Sequence, residues 1–380
     1  MIPSLVQSLA SPARRERPSL RALFVIPSLR MGGAERVFAT LLNEFSATDI
    51  DLHLAVLQRE GMYFDTLSPR VTVHDLSVRR AVHSFPRLQR LASRLRPDVV
   101  LSTSLRMNLA VTLLKPLLPA ATRIVIREVT ALEALLGKGL RAACIRQLAR
   151  IGYRRADAVV CQSALLAAEL QASCGTASER MCVIHNPVDF AAVAARSRQG
   201  NPYAGAGPGP HIVAVGRLEP AKGIDRLLNA FPRLVQRRPG AQLWLVGDGR
   251  ESGRLAEQAD SLGVRERVRF AGMQTNPYPW MKHADLLVLP SRREGMPNTL
   301  LEAIACESPV VVLDHPGGSR EVMRLTGQEE RVVDELAAWD DGWFDRPSPA
   351  VLQHARDHFG LEMIVEQYRQ VLSGTQMTQI

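Results

Sequence analysis

Two carboxylates eight residues apart, Glu294 and Glu302, bracket the segment Gly295-Met296-Pro297-Asn298. Glu294 falls on a loop after the apolar run 286–289, and Glu302 about one turn inside the helix that follows. Carboxylates accept hydrogen bonds from vicinal hydroxyls, so a loop glutamate and a helix glutamate together suit polyol recognition. The turn between them leaves backbone N–H groups at the helix start free to donate to a ligand. Each residue has a plainer reading, Glu294 as an N-terminal helix charge and Glu302 as surface. The combination is more specific than either.

A second set is basic. After the apolar run 211–215, Gly216 turns the chain and Arg217 and Lys222 follow, five positions apart, before Gly223 and a helix. Arg offers a planar fork and Lys a compact charge, which together suit a diphosphate; two solvated loop cations are the even alternative. Gly32-Gly33, after the first strand, allows close backbone approach at a helix N-terminus. The third glycine of a dinucleotide fingerprint is missing, which disfavours a nicotinamide cofactor. Gly317-Gly318-Ser319-Arg320-Glu321 is a further glycine turn after a strand, readable as a plain connection.

These loops need elements to hold them. Strand-length apolar runs fall at 23–27, 52–57, 71–76, 99–102, 124–126, 158–161 and 181–184, then at 211–215, 242–246, 268–270, 286–289 and 309–313. Helical stretches lie between them, for example 34–44, 85–95, 135–154, 223–236, 253–262 and 298–306. Strand–helix alternation argues for parallel sheets covered on both faces, and continuous Val/Ile/Leu runs are what such buried strands require. The pattern occurs twice, so the expected fold class is α/β with two doubly wound domains, 1–187 and 188–380, facing across a cleft. Residues 1–20 read as a loose tail, because their apolar part precedes the run Arg14, Arg15, Arg17, the reverse of a signal peptide. The last helix, about 361–372, is a candidate to pack back on the first domain.

The 380 residues, 46% hydrophobic and 22% charged, exclude a wholly disordered or fibrous chain. No stretch nears the ~20 apolar residues of a transmembrane helix. Five scattered cysteines without CxxC spacing disfavour a zinc or disulfide framework and fit a reducing compartment. The net charge of +9 is uneven: residues 1–185 carry 25 basic and 14 acidic side chains, the rest 22 and 24. The basic half points to an anionic partner or to solvated arginines. Aromatic residues make up only 5%, and no nucleic-acid motif is present, so nucleic acid is not an expected partner.

Taken in order, several of these segments resemble a known family. They are Gly32-Gly33-Ala34-Glu35, Arg155-Ala156-Asp157-Ala158-Val159 with Ser163, Asn186-Pro187-Val188-Asp189, and Gly216-Arg217 with Lys222-Gly223. Val246-Gly247-Asp248-Gly249, Val268 to Gly272, Ala284-Asp285, Glu294 to Asn298 with Glu302-Ala303, Pro309-Val310-Val311, and Gly317-Gly318 with Glu321 complete the set. The sequence resembles retaining glycosyltransferases of family 4, with the GT-B fold. Asn276-Pro277-Tyr278 and the wording of 291–298 resemble the branch that extends lipid-linked or surface polysaccharides.

The resemblance implies roles. Arg217 and Lys222 grip the donor diphosphate and stabilise it as a leaving group. Glu294 holds sugar hydroxyls, and Glu302 holds the ribose. The backbone of Gly295, Met296, Pro297 and Asn298 cradles sugar and phosphate, with Gly216 beneath and Met273 bordering the base. Gly32 and Gly33 lie across the cleft near donor phosphate and acceptor. There are two departures. Arg127-Glu128 stand where several relatives carry a histidine, making them acceptor-side candidates. Cys306-Glu307 stand where a glycine is usual before Pro309.

The expectation is a metal-independent hexosyltransferase without cofactor. Its substrates would be a nucleotide-sugar donor, UDP- favoured over GDP-linked, and a saccharide acceptor that is lipid-linked. A basic helix across 135–155, with Leu140, Cys144, Leu148 and Ile151 near one face, suits an anionic membrane, so the expected location is the cytoplasmic face of the cell membrane. The same helix packed on its sheet is the alternative. A nucleotide-sugar epimerase, hydrolase or phosphorylase of the same fold ranks second. A non-enzymatic polyanion binder ranks last.

Overall fold

The computed structural model describes residues 20–30, 32–130, 132, 136–137, 139–336 and 339–375. The tail expected at 1–20 lies outside them except for Leu20, as do the start of the helix expected at 135 and its Lys138.

Seven strands form the first sheet: β1 Leu20–Ile26, β2 Ile50–Val56, β3 Thr72–Asp75, β4 Val99–Thr103, β5 Arg123–Glu128, β6 Ala158–Cys161 and β7 Met181–Val183. Their order is β3-β2-β1-β4-β5-β6-β7, all parallel. Six strands form the second: β8 His211–Val215, β9 Gln242–Val246, β10 Val268–Gly272, β11 Leu286–Leu289, β12 Val310–Leu313 and β13 Val332–Val333. Their order is β10-β9-β8-β11-β12-β13, again all parallel.

Side chains alternate across each strand, so each sheet feeds two cores. Leu23 and Val25 of β1 join the core under helices Phe85–Leu95, Leu105–Leu114, Leu140–Tyr153 and Ala164–Cys174. Phe24 and Ile26 join the opposite core, under Gly33–Ser46. The second sheet does the same, with Val213 and Leu287 on one face and Ile212 and Leu286 on the other.

The chain passes between the domains twice, and the two passages run side by side. Val188 N–H donates to Phe359 O at 2.8 Å, and Leu361 N–H to Val188 O at 3.1 Å. The final helix, Leu361–Ser373, then packs on the first domain through Ile364, Tyr368, Val371 and Leu372. Each buried aliphatic side chain there contributes about 1.5–3 kcal/mol relative to exposure, which anchors the helix on the domain it did not come from.

In parallel sheets all carboxyl ends lie on one edge, and a ligand crevice opens where strand order reverses. That reversal falls between β1 and β4 in the first sheet and between β8 and β11 in the second. The loops after β8 and β11 are the ones carrying Lys222 and Glu294.

Candidate active site

The switch point of the second sheet puts the two loops in contact. Arg292 N–H donates to Ala221 O at 2.8 Å. Gly223 holds φ +65°, and a β-carbon on it would overlap Pro290 O, so only glycine lets the β8 loop lie this close to the β11 loop. The result is an ion pair between Lys222 Nζ and Glu294 Oε1 at 2.6 Å, with Ser291 Oγ donating to the same oxygen at 2.8 Å. The Lys222 stem runs over Gly216, whose β-carbon position lies 3.8 Å from it. Both partners are largely shielded from water, which strengthens the pairing.

Glu294 also faces the first domain. A small hollow between the domains is lined by Thr130, Ser163 and Glu169 on one side and by Glu294, Gly295 and Gly317 on the other. Gly295 packs so closely on that domain that a β-carbon would overlap Gln162 and Val129 O. Glu294 and Gly317 form a short parallel bridge, and Gly318 N–H donates to Gly295 O at 2.8 Å, so the β12 loop braces the β11 loop.

Asn298 opens the next helix, Asn298–Ala305, and Glu302 follows one turn later on the same face. Across from them begins the Gly33–Ser46 helix of the first domain. Asn298 Nδ2 approaches Gly33 O at 3.4 Å, and Arg36 pairs with Glu302. Tyr278 Oη donates to the same Glu302 oxygen at 3.1 Å. Glu302 is buried, so its surface reading does not hold. Burial, and then the Glu302 charge, push the Tyr278 phenol above its ordinary range.

One of the sequence assignments is corrected, and another is not assembled in the free protein. Arg217 is 61% exposed and pairs with Glu219 Oε1 at 3.0 Å, so in the free protein it does not join Lys222 over the carboxylates. Arg127 and Glu128 are fully buried inside the first domain, not displayed to an acceptor. The strand is central and covered on both faces, so side chains at its end turn into packed helices rather than the cleft. Glu128 accepts from Asn108 and from Tyr153 Oη at 2.8 Å. Burial lifts its carboxyl to about 7.

The other candidates fall as follows. Gly33 is the exposed first residue of its helix, and half-buried Gly32 stands just before it. Met273 stands exposed after β10, whereas the Met296 side chain is buried in the core. Glu321, read as part of a plain connection, instead reaches the first domain: its carboxylate accepts from Ala164 N–H at 2.9 Å and lies 2.9 Å from His185 Nε2.

Sequence reasoning assigned no role to Arg36, Tyr278, Ser291, Asn186 or Gln162. Arg36 left one usable signal, a cation in the first turn of a helix, where the dipole disfavours it unless an anion lies opposite. Among the described residues no group of three His, Cys, Asp or Glu side chains is placed to hold a metal, and no helix is long and apolar enough to cross a membrane.

Known proteins resemble this chain in sequence and fold. Residues 31–192 match the family model Glycosyltransferase Family 4, and residues 209–340 match Glycosyl transferases group 1. The chain is 26% identical over 316 residues to the N-acetylgalactosamine-N,N'-diacetylbacillosaminyl-diphospho-undecaprenol 4-alpha-N-acetylgalactosaminyltransferase of Campylobacter jejuni, covering 80% of this chain and 83% of that one. It is 33% identical over 175 residues to the lipopolysaccharide core biosynthesis glycosyltransferase LpsE of Rhizobium meliloti, covering 43% and 50%. The chain spans about half the length, or less, of several curated relatives that it matches at higher identity. The crystal structure of Anabaena Alr3699/HepE in complex with UDP-glucose superposes with a TM-score of 0.75 at 19% identity, over 93% of this chain and all of that one. That likeness shows a shared two-domain GT-B fold.

Proposed function

We propose, from the match of residues 31–192 to the family 4 glycosyltransferase model and of residues 209–340 to the group 1 model, that this chain moves a hexose-type sugar from a nucleotide diphosphate to a saccharide acceptor with retention of anomeric configuration. The observation that carries the site is the Lys222–Glu294 pair at the switch point, whose Glu294 lines the hollow between the domains.

The chemistry follows from charge. Breaking the bond between the anomeric carbon and the diphosphate leaves the electron pair on a phosphate oxygen and builds positive charge on the sugar ring. The acceptor hydroxyl oxygen then bonds to that carbon on the face the diphosphate leaves, which retains configuration, and its proton passes to the departing phosphate oxygen. A fixed ammonium aimed at the leaving oxygen is stronger in the transition state than in the ground state. Lys222 serves that role, and exposed Arg217 swings from Glu219 onto the diphosphate when donor arrives. The two cations make a metal unnecessary in this reading. Glu294 holds sugar hydroxyls, the Gly295–Asn298 backbone supports the sugar, and Glu302 receives the ribose once Arg36 moves.

UDP-sugars are the favoured donors. Support comes from the Anabaena neighbour, whose structure holds UDP-glucose. A lipid-linked acceptor is favoured because the Campylobacter relative is named for a diphospho-undecaprenol substrate. The helix Leu140–Tyr153 supports placement at an anionic membrane. Leu140 is 88% exposed, Cys144, Leu148 and Ile151 are exposed on the same side, and Arg141, Arg150, Arg154 and Arg155 are exposed around them.

Purified protein is assayed with a panel of UDP- and GDP-sugars, with and without saccharide and polyprenyl-diphosphate-linked acceptors. Acceptor-dependent transfer with retained configuration is the expected result. Sugar release that needs no acceptor would move the protein to the hydrolase reading, and no turnover of any donor would remove the proposal.

A further inference from the structure

Arg127 is the penultimate residue of β5, and its side chain is completely buried. A buried guanidinium is costly unless it is hydrogen-bonded. This one addresses three neutral acceptors on three separate elements. Nε donates to Tyr368 Oη at 2.9 Å, and Nη2 donates to Asn186 Oδ1 at 2.6 Å and to Gln162 Oε1 at 3.3 Å. Nη1 has no hydrogen-bond partner, so the arginine is held here without full satisfaction. A planar five-donor fork is the side chain that can span such a set; a lysine ammonium cannot match its geometry.

Two of the acceptors mark the joints of the molecule. Asn186 lies two residues before Val188, where the chain first passes between the domains. Tyr368 lies on the helix entered at Leu361, just after the chain passes back. Asn186 is also a relay. Its Nδ2 donates to Asn298 Oδ1 at 2.8 Å and to Met296 O at 3.3 Å, and its N–H contacts Met296 Sδ at 3.5 Å. Gln162 works in parallel, donating through Nε2 to Val129 O at 2.8 Å and forming, with Val129, the wall on which Gly295 packs.

We propose that Arg127 is a positioning residue: through Asn186 it holds the Met296–Asn298 segment of the second domain in register with the first, so the donor loop keeps its binding shape before ligand arrives. The proposal rests on the donor-loop reading above. The pocketed arginine that stands in place of a histidine thus acts on the donor side, from behind, and not on the acceptor.

The test reads the loop in the ligand-free full chain by amide hydrogen exchange. Leu300 and Leu301 N–H bond to Pro297 O, and Gly318 N–H bonds to Gly295 O, so these three amides report on the loop. In Asn186→Ala and Arg127→Lys they exchange faster by on the order of tenfold, while amides of β1 stay protected. Tyr153→Phe, which removes a buried hydrogen bond to Glu128 from the same core but leaves the relay intact, keeps them at the wild-type rate. Unchanged exchange in Asn186→Ala, or equal acceleration in Tyr153→Phe, overturns the proposal. Calorimetric titration with UDP and GDP separates it from the donor reading. A wild type that binds neither nucleotide refutes the donor reading and leaves the exchange result to decide the relay. Where one binds, Asn186→Ala weakens it about tenfold, and adding Arg127→Lys costs little more, as expected of two residues in one chain of contacts. Full additivity overturns the relay.

Discussion

Arg36 of the first domain and Glu302 of the second form an ion pair across the cleft, and Tyr278 Oη donates to the same carboxylate oxygen. The free protein thus occupies the carboxylate assigned to the ribose with its own arginine. A nucleotide that uses Glu302 must displace that arginine, and the cost comes off its affinity. Arg36→Ala is expected to lower the Kd for UDP several-fold, about 1 kcal/mol, and to expand the ligand-free protein in small-angle scattering. Glu302→Gln is expected to weaken UDP. A higher Kd in Arg36→Ala would show that Arg36 grips the donor itself.

Lys222 and Glu294 are expected to carry rate more than fold. Removing one preorganised charge contact to a leaving group costs on the order of 3 kcal/mol, or about a hundredfold in kcat. Lys222→Ala should show that loss with little change in Tm, because its pair lies at a cleft rather than in a core. Glu294→Gln should lose turnover while binding free UDP nearly normally, since its role is toward the sugar. Turnover at the wild-type level in both variants would end the site assignment.

Glu128 gives the stability a pH dependence. Burial raises its carboxyl to about 7, against the opposing pull of Tyr153, Asn108 and Arg127. The native state therefore binds this proton more tightly than the unfolded chain. The contribution is complete below the unfolded value near 4.5 and is lost as pH rises through about 7. Melting temperature should fall across that window, and Glu128→Gln should remove that part of the slope. Parallel curves for the two proteins would contradict it.

Membrane binding through the Leu140–Tyr153 helix is testable by flotation with vesicles. Each arginine near an anionic surface contributes about 1 kcal/mol, so replacing Arg141, Arg150, Arg154 and Arg155 by Gln should weaken binding to phosphatidylglycerol vesicles by at least about a hundredfold. Leu140→Ser should weaken it less and without changing its salt dependence. Equal binding to neutral and anionic vesicles would count against the surface.

Glu307 sits at φ +56°, just past the helix Asn298–Ala305. This is the left-handed region, which costs a side-chain-bearing residue roughly 1 kcal/mol. Glu307→Gly is expected to stabilise the protein by about 0.5–1 kcal/mol despite the loss of its exposed pair with Lys282. Urea unfolding measures it, and a destabilised variant would mean that the pair outweighs the strain.

Much of the architecture was legible along the chain. The runs at 158–161, 211–215, 242–246 and 286–289 are strands with those bounds, because buried parallel strands are written as local apolar runs. The two-residue β13 left no such run. The meeting of Lys222 with Glu294 was also readable, since both follow strands that a doubly wound sheet brings together. The burial of Arg127 was not readable. Side-chain type says what a residue can bind, whereas its direction and burial depend on neighbours far along the chain.

By itself, then, the sequence determined most of the elements, their parallel alternation and the loops that carry carboxylates and cations, because periodicity, glycine turns and charge are local properties. Only the tertiary structure decided which residues meet between the two domains and the returning helix. Arg36 finds Glu302 across 266 positions of chain, and Arg127 is drawn inward to Asn186 and Tyr368. Those pairings are set by how two domains and a returning helix pack, and packing is a property of the whole fold.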